Sequence, residues 1–416
     1  MSNPIRVGII GCGNIAAAHF NAYKQLKETG LLGDVQIVAL CDATIDNARR
    51  FKSPAEGLPM YPGVGPKGDP MNQPHVYFSD LQPGAEPQVY GDYKEMLKRS
   101  DIDAVEIYTS LHTHHVIAMD CLRAGKHVTL EKPMAISVKA ARQLCEVAEK
   151  RGLVLGVAES FRYQKGQRAR RWLLENDYLG QPQMSISVAA GGFFGPDQIV
   201  ANTPWRHKKL QGAGGWSIDC LVHGVHARRY VFGDVDEVDG TVRIIEPTRY
   251  QRDDNGNVVD RVDCTCDDTV FCTLLYKSGM ISQVSQSWAG SRRCQSGMDV
   301  TFGTKGCFNG PKYLPNEGTE EFNIEQLFTE KSDAALRDRF FPKGIDNIFT
   351  LETLDFLTAI RNNTQMEVSG REGLMDLAIC FSLLESSTIG RRVKVQDVLE
   401  GRLTAYEDEI NAFYNI

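Results

Sequence analysis

Two short stretches carry side chains that packing alone does not call for. In Gly125-Lys126-His127-Val128-Thr129-Leu130-Glu131-Lys132-Pro133, an apolar run of the kind that forms a buried strand stops abruptly at Glu-Lys-Pro. In Gly214-Gly215-Trp216-Ser217-Ile218-Asp219-Cys220-Leu221-Val222-His223, an aspartate and a histidine stand four residues apart, the spacing that puts two side chains on one face of a helix. A carboxylate beside an imidazole orients the ring and sustains its protonated form, so Asp219 and His223 together can take a proton from an alcohol. Each stretch also has a plainer reading taken singly: an i,i+4 Asp/His pair is common on helix surfaces, and a lysine that ends a strand is often structural.

A third stretch supplies a partner for that chemistry. The first apolar run leads directly into Gly11-Cys12-Gly13-Asn14-Ile15-Ala16, a G-x-G-x-x-A loop before an alanine-rich helix. Gly11 permits the tight turn, Gly13 lets a diphosphate approach the backbone, and Ala16 is small enough for helix and strand to pack closely. The free N–H groups at the helix start, around Asn14 and Ile15, then hold the anion. The second apolar run ends at Asp42, 26 positions after Ala16, with the 30–34 turn accounting for the long spacing. A carboxylate there accepts hydrogen bonds from both adenosine ribose hydroxyls and repels a 2′-phosphate, which favours NAD over NADP. Capping of the next helix by Asp42 is compatible with that role. Arg49 and Arg50, one or two turns further on, read as solvated surface charges.

The elements that must position these residues follow from the pattern. From residue 5 to about 157, short apolar runs at 7–10, 35–41, 104–108, 127–130 and 154–157 alternate with helical stretches near 15–27, 45–51, 93–99, 115–124 and 138–150. This is the βαβ rhythm of a doubly wound parallel sheet, in which charges at the carboxyl ends of strands face the ligand crevice. Lys132 and the glycine loop therefore share one edge. Residues 52–87 break the rhythm with eight prolines and five glycines and read as an insertion. Its position after the second helix places it at the sheet edge opposite the crevice, which favours an arm toward another subunit over a disordered loop or an active-site lid. After about residue 162 the pattern becomes α+β, with a helix near 167–175, β-rich runs at 183–190, 235–245, 269–276 and 280–288, and late helices at 349–362 and 372–389. The expected organisation is a dinucleotide-binding domain over 1–157 and an α+β domain over 158–416, to which the resemblance named below assigns substrate binding and oligomerisation.

Composition narrows the partners. With 46 Lys and Arg against 53 Asp and Glu, the net charge of −7 gives no reason to expect nucleic acid or an anionic membrane as ligand. No apolar run approaches the length of a membrane span, the first one begins too early for a signal or transit peptide, and eleven cysteines lack any C-x-x-C pair. The expectation is a cytoplasmic enzyme of small molecules, without a bound metal. Cys264 and Cys266, which alternate like strand positions, read as packing.

With all three stretches present, the chain resembles the Gfo/Idh/MocA oxidoreductases, named for glucose-fructose oxidoreductase and inositol dehydrogenase. The resemblance runs from G-C-G-N-I-A through A-G-K-H-V-T-L-E-K-P and G-G-W-S-I-D-C-L-V-H to Leu383-Leu384-Glu385-Ser386-Ser387. It implies an N-terminal Rossmann domain and a C-terminal domain whose open, mostly antiparallel sheet forms subunit contacts, hence a homodimer or homotetramer. It also implies roles: Lys132 binds the reacting hydroxyl and touches the nicotinamide ribose, His223 is the general base, and Asp219 supports it. Glu131 and Pro133 shape the turn, Thr109, Ser110 and His114 border the nicotinamide, and Arg162 lies near the ring. Trp205, Arg206 and His207 fall in a region that often lines the substrate pocket, and Trp216 is placed either to stack on a sugar or to pack in the core.

Two departures loosen the substrate inference. Ser110-Leu111 replaces a Pro-Asn common in the family, and His226 stands where an aspartate often follows the histidine; it reads as a core or interface residue, or as a pocket wall. The implied activity is NAD-dependent oxidation of a secondary hydroxyl of a sugar, glycoside or cyclitol. A redox-assisted glycosidase or lyase, which oxidises the sugar transiently and recycles NAD, is the alternative. Retention of Lys132, Asp219 and His223 argues against a non-catalytic sensor.

Overall fold

The computed structural model describes residues 4–61, 72–191, 195–291, 293–294 and 296–416. They form two compact units, each drawn from three stretches of chain: Met1–Met134, Arg142–Tyr163 and Asp338–Gly373 in the first, and Ala135–Ala141, Gln164–Arg337 and Leu374–Ile416 in the second. Where the sequence reading places one boundary at 157/158, residues 338–373 pack with the first unit and 135–141 with the second.

In the first unit, β1 (Ile5–Ile10), β2 (Val35–Cys41), β3 (Gln88–Tyr90), β4 (Ala104–Ile107), β5 (His127–Glu131) and β6 (Leu155–Ala158) form one parallel sheet in the order β3-β2-β1-β4-β5-β6. Strands covered on both faces need apolar residues at consecutive positions, and β4 and β6 are buried throughout. The strand order reverses between β1 and β4, so a ligand crevice opens at their carboxyl ends, beside Gly11 and Thr109. The helix Ala16–Glu28 buries Phe20, Tyr23 and Leu26 in the core, with the Phe20 ring edge-on to Phe51 and Phe78 at 4.7 and 5.0 Å. The late helix Ile348–Asn362 adds Phe356 and Leu357 to the same core.

The 52–87 segment differs from its expected place. Residues 62–71 lie outside the described residues, but the remainder is built into the first unit. Val76 and Phe78 are core residues, and Gln82 both accepts from Ile37 N and donates to Ile37 O, acting as a strand partner where short β3 does not reach. Tyr61, whose ring approaches Phe51 and whose N–H donates to His75 Nδ1, gives its hydroxyl to Asn14 Oδ1 in the glycine loop. At Tyr61 the described chain thus meets the glycine loop at the crevice edge rather than the opposite one, with its ring near Phe51 and its N–H on His75.

In the second unit, a nine-stranded sheet is built from β7 (Pro182–Ala190), β8 (Val235–Arg243), β11 (Thr269–Tyr276), β12 (Ile281–Ser287), β13 (Ser296–Gly303), β14 (Gly306–Asn309), β15 (Lys312–Pro315), β16 (Phe322–Asn323) and β17 (Val393–Lys394), while β9 (Thr248–Arg252) and β10 (Val258–Asp263) pair as a separate hairpin. All its pairings are antiparallel except β7 with β12. Alternation along the strands sends one set of side chains inward. There Leu383 packs so closely on Gly240 that a Cβ would lie 2.5 Å from its methyl carbon, and the Ser386 and Ser387 hydroxyls accept from Gly240 N and Val242 N, beyond the reach of two-residue β17. The opposite face presents Met184, Phe271, Ile281 and Met298, all about half exposed. Among the described residues, no helix is long and apolar enough to cross a membrane.

Candidate active site

At the crevice edge of the first unit, Gly11 has φ +94°, and a Cβ there would lie 2.5 Å from the Tyr108 carbonyl oxygen at the end of β4. Only glycine allows β1 to turn this close to its neighbour. Gly13 is the converse, since a Cβ built on it meets nothing within 4 Å. The helix that follows has no side-chain cap and no acidic residue in its first turn, so the partial positive charge of its N-terminus is available to an anion. Asp42 pins this loop: Oδ2 accepts from Cys12 N at 2.8 Å, and Oδ1 accepts from Thr44 N at 2.8 Å and Asn47 Nδ2 at 3.2 Å. It does not cap the next helix, whose N-cap is Thr44. An open cradle beside an anchored carboxylate fits the diphosphate and ribose of a dinucleotide.

The neighbouring loops are tied together. The Thr113 hydroxyl donates to Ser110 O and shares a hydrogen bond with the Thr109 hydroxyl, and Ser110 is the N-cap of the helix Leu111–Arg123. His114 is buried, and its ring nitrogens lie 2.8 Å from Pro133 O and 3.0 Å from Thr109 O, so it links the loop after β4 to the turn after β5. In that turn Lys132 N donates to Glu131 Oε2 at 3.2 Å, and the Lys132–Pro133 peptide is cis. Arg162, in the short turn Ser160–Tyr163, gives a guanidinium N–H to Glu372 at 3.1 Å.

In the second unit the structure modifies the expected helix face. Asp219 ends a one-turn helix, Trp216–Asp219, and His223 belongs to the next, Leu221–Phe232, with Cys220 at the junction. Asp219 Oδ2 accepts from Arg206 Nε at 3.0 Å; Arg206 also donates to Thr203 Oγ1 and lies 4.3 Å from the Trp205 ring centre. Arg206 thus engages the carboxylate assigned to His223. Trp216 donates to Gln286 Oε1 and meets Trp288 edge-on.

Asp267, which sequence reasoning missed, organises this region. Buried, it accepts from Gly215 N, Ser217 N and Ser217 Oγ, and a Cβ on Gly215 would fall 1.5 Å from its carbonyl oxygen. The glycines before the helix therefore serve close approach rather than flexibility. Burial pushes the Asp267 carboxyl upward, against the pull of these donors. Its sequence signal was slight: one of two adjacent aspartates before an apolar strand. His226 is fully buried, with Nδ1 2.6 Å from Asp376, whose other oxygen accepts from Arg229 at 2.6 Å; it is a core residue. Cys264 and Cys266 follow β10 rather than lying within a strand; Cys266 is buried and its Sγ bonds Arg206 O.

His207 is a buried acceptor, taking the Val200 N–H on Nε2 at 3.1 Å, which requires a neutral ring. Burial first, then the nearby Arg249 and Arg206, lower its pKa to about 4, and burial likewise brings His115 to about 4. Both rings take up protons more readily in the unfolded chain, so their stabilising effect is complete above pH 6.5 and is lost as pH falls toward 4. We expect Tm to drop over that interval, and less steeply in His207→Gln, which retains an acceptor. Equal slopes would count against the assignment.

Residues 5–159 match the oxidoreductase family with an NAD-binding Rossmann fold, and residues 171–395 match that family's C-terminal alpha/beta domain. The myo-inositol 2-dehydrogenase of Thermotoga maritima is 24% identical over 402 residues, covering 95% of this chain and 100% of that protein. The D-glucoside 3-dehydrogenase of Escherichia coli is 23% identical over 401 residues, covering 95% and 98%. The crystal structure of an NAD binding oxidoreductase from Klebsiella pneumoniae shares the fold with a TM-score of 0.73 at 20% identity, covering 94% of this chain and 99% of that one. A chain whose two parts both match, in order, belongs to the Gfo/Idh/MocA family of oxidoreductases.

Proposed function

We propose that this chain is an NAD-dependent dehydrogenase that oxidises a secondary hydroxyl of a sugar, glycoside or cyclitol. The observation that carries this reading is the glycine-loop cradle: open space at Gly13 and an uncapped helix start, beside a carboxylate locked to Cys12 N. Two relatives across the whole chain, named as acting on an inositol and on a glucoside, support the substrate class.

The bound nicotinamide dinucleotide would supply the acceptor for the hydrogen leaving carbon. His223 removes the hydroxyl proton, and Lys132 stabilises the negative charge that develops on that oxygen. Asp219, held by Arg206, supports the imidazolium. Thr109 and Ser110 line the crevice, Arg162 contacts the ring region, and Trp205 borders the substrate. Asp42 accepts from the ribose hydroxyls and repels a 2′-phosphate, which sets NAD above NADP. The exposed apolar strip of the nine-stranded sheet, with Phe271 and Met298, supports self-association into a dimer or tetramer. Sedimentation as a monomer at micromolar concentration would contradict that part.

The activity test is a panel of inositols, aldoses and methyl glycosides, scanned by absorbance for reduced cofactor with NAD and NADP in parallel. The expected result is reduction with at least one cyclic polyol and NAD preferred at least tenfold. No reduction across the panel, or a preference for NADP, would overturn the corresponding part.

A further inference from the structure

The turn that presents Lys132 is held from within the first unit by a side chain to which neither the motif nor the mechanism gives a role. Glu131 directs one carboxylate oxygen to Lys132 N and the other to Nε2 of His19, 2.9 Å away and 112 residues earlier in the chain. His19 lies one turn into the helix that follows the glycine loop and is almost wholly buried. Its ring stacks on Tyr108 at 4.0 Å and 14°, and Phe349 meets it edge-on at 5.1 Å. The Tyr108 hydroxyl in turn donates to buried Glu106 at 2.5 Å.

The chemistry of these groups fixes how the ring is used. An ionised carboxylate only accepts, so Nε2 of His19 carries the proton directed at Glu131. On the other side, Nδ1 faces Glu352 Oε1 at 3.7 Å. Glu352 is buried, and burial first, then Glu131, Glu159, Glu106 and Asp355, drive its carboxyl well upward. At 2.9 Å against 3.7 Å, the carboxylate hydrogen-bonded to His19 is that of Glu131, the residue joined to the lysine. On the far side of the lysine, Pro133 O is held by His114.

We propose that His19 is a positioning residue for Lys132: by fixing the Glu131 carboxylate, it fixes the direction in which the ammonium leaves the turn. This rests on the reading in which Lys132 binds the reacting hydroxyl. The ring also stacks on Tyr108, so the loss of that stacking has to be told apart from the loss of the bond to Glu131.

The two are separated by a pair of amides. The side-chain amide of glutamine reaches the position of the imidazole Nε2, and that of asparagine does not, while both remove the stacked ring. The full-length chain is compared as wild type, His19→Gln, His19→Asn and Lys132→Ala. One readout is turnover with NAD and the probes myo-inositol and methyl glucoside. The other is the acetic anhydride labelling rate of Lys132, followed by peptide mass spectrometry without cofactor. Tm and NAD affinity monitor folding.

His19→Asn is expected to lower kcat by about 30-fold or more, with NAD affinity within about threefold of wild type, and His19→Gln to recover to within about fivefold, in line with the effect of supporting shells on active groups. Lys132 labelling should differ from wild type by threefold or more in the asparagine variant and return to the wild-type rate in the glutamine variant. Should His19→Asn not fold, His19→Met, which has bulk and no donor, takes its place with the same expectation. Equal turnover and equal labelling in the glutamine and asparagine variants, with Lys132→Ala inactive, overturn the proposal alone. Wild-type turnover in Lys132→Ala overturns the functional reading and the proposal with it.

Discussion

Lys132→Ala and His223→Ala are each expected to lower kcat by a factor on the order of 10³, within the range for removing one preorganised charge stabiliser or one general base. Both side chains are only partly buried, so neither change opens a cavity in a core, and Tm should stay within a few degrees of wild type. NAD affinity should be nearly unchanged, because the cradle is formed by Gly11 to Ile15 and Asp42. The double variant should be much less damaged than the product of the two factors, since proton removal and alkoxide stabilisation serve one step. His223→Ala should regain part of its rate as pH rises, when hydroxide replaces the missing base, while Lys132→Ala should not. Steady-state kinetics with Tm and NAD titrations read all of this. Wild-type turnover in both variants would end the assignment.

The glycine loop gives a second large effect, because its two glycines are needed for different reasons. A Cβ on Gly13 meets only open space in the protein, so Gly13→Ala should fold with unchanged Tm. If that space receives a diphosphate, the methyl group occupies it, and NAD should bind on the order of 100-fold more weakly, a loss of about 2.7 kcal/mol. Gly11→Ala adds a methyl 2.5 Å from a backbone oxygen at a positive φ and should lower Tm as well as affinity. Calorimetric NAD titration beside thermal melts separates the two. Unaltered affinity in Gly13→Ala would show that the cradle is not where the cofactor lies.

Much of the fold could be read from the chain because parallel strands covered on both faces leave continuous apolar runs: observed β2 spans 35–41 as expected, and β1 and β5 extend their expected runs by one or two residues. What escaped was short or non-local. β3 has three residues, too few for any period to show, and Phe78–Leu81 is a single turn. The glycine loop and the E-K-P turn were legible because each is a contiguous pattern, and Asp42 because it ends the second apolar run. The partners that hold them were not: His19 meets Glu131 across 112 residues and Tyr61 meets Asn14 across 47, contacts that exist only once the sheet has closed. Arg206 joins Asp219 because the turn Pro204–His207 folds back, and Asp267 reaches the Gly214-Gly215 loop from the strand side. Spacing announces a pair on one helix; it is silent about a third residue brought in from elsewhere.

In the proposed reaction, hydrogen passes directly from a substrate carbon to the nicotinamide of bound NAD. The most direct measurement runs the NAD assay with carbon-deuterated myo-inositol or methyl glucoside and examines the reduced cofactor by mass spectrometry. NADH should accumulate with a deuterium on the nicotinamide ring, and none should form with Lys132→Ala. Sugar consumed or cleaved without net NADH, or reduced cofactor free of deuterium, would contradict it.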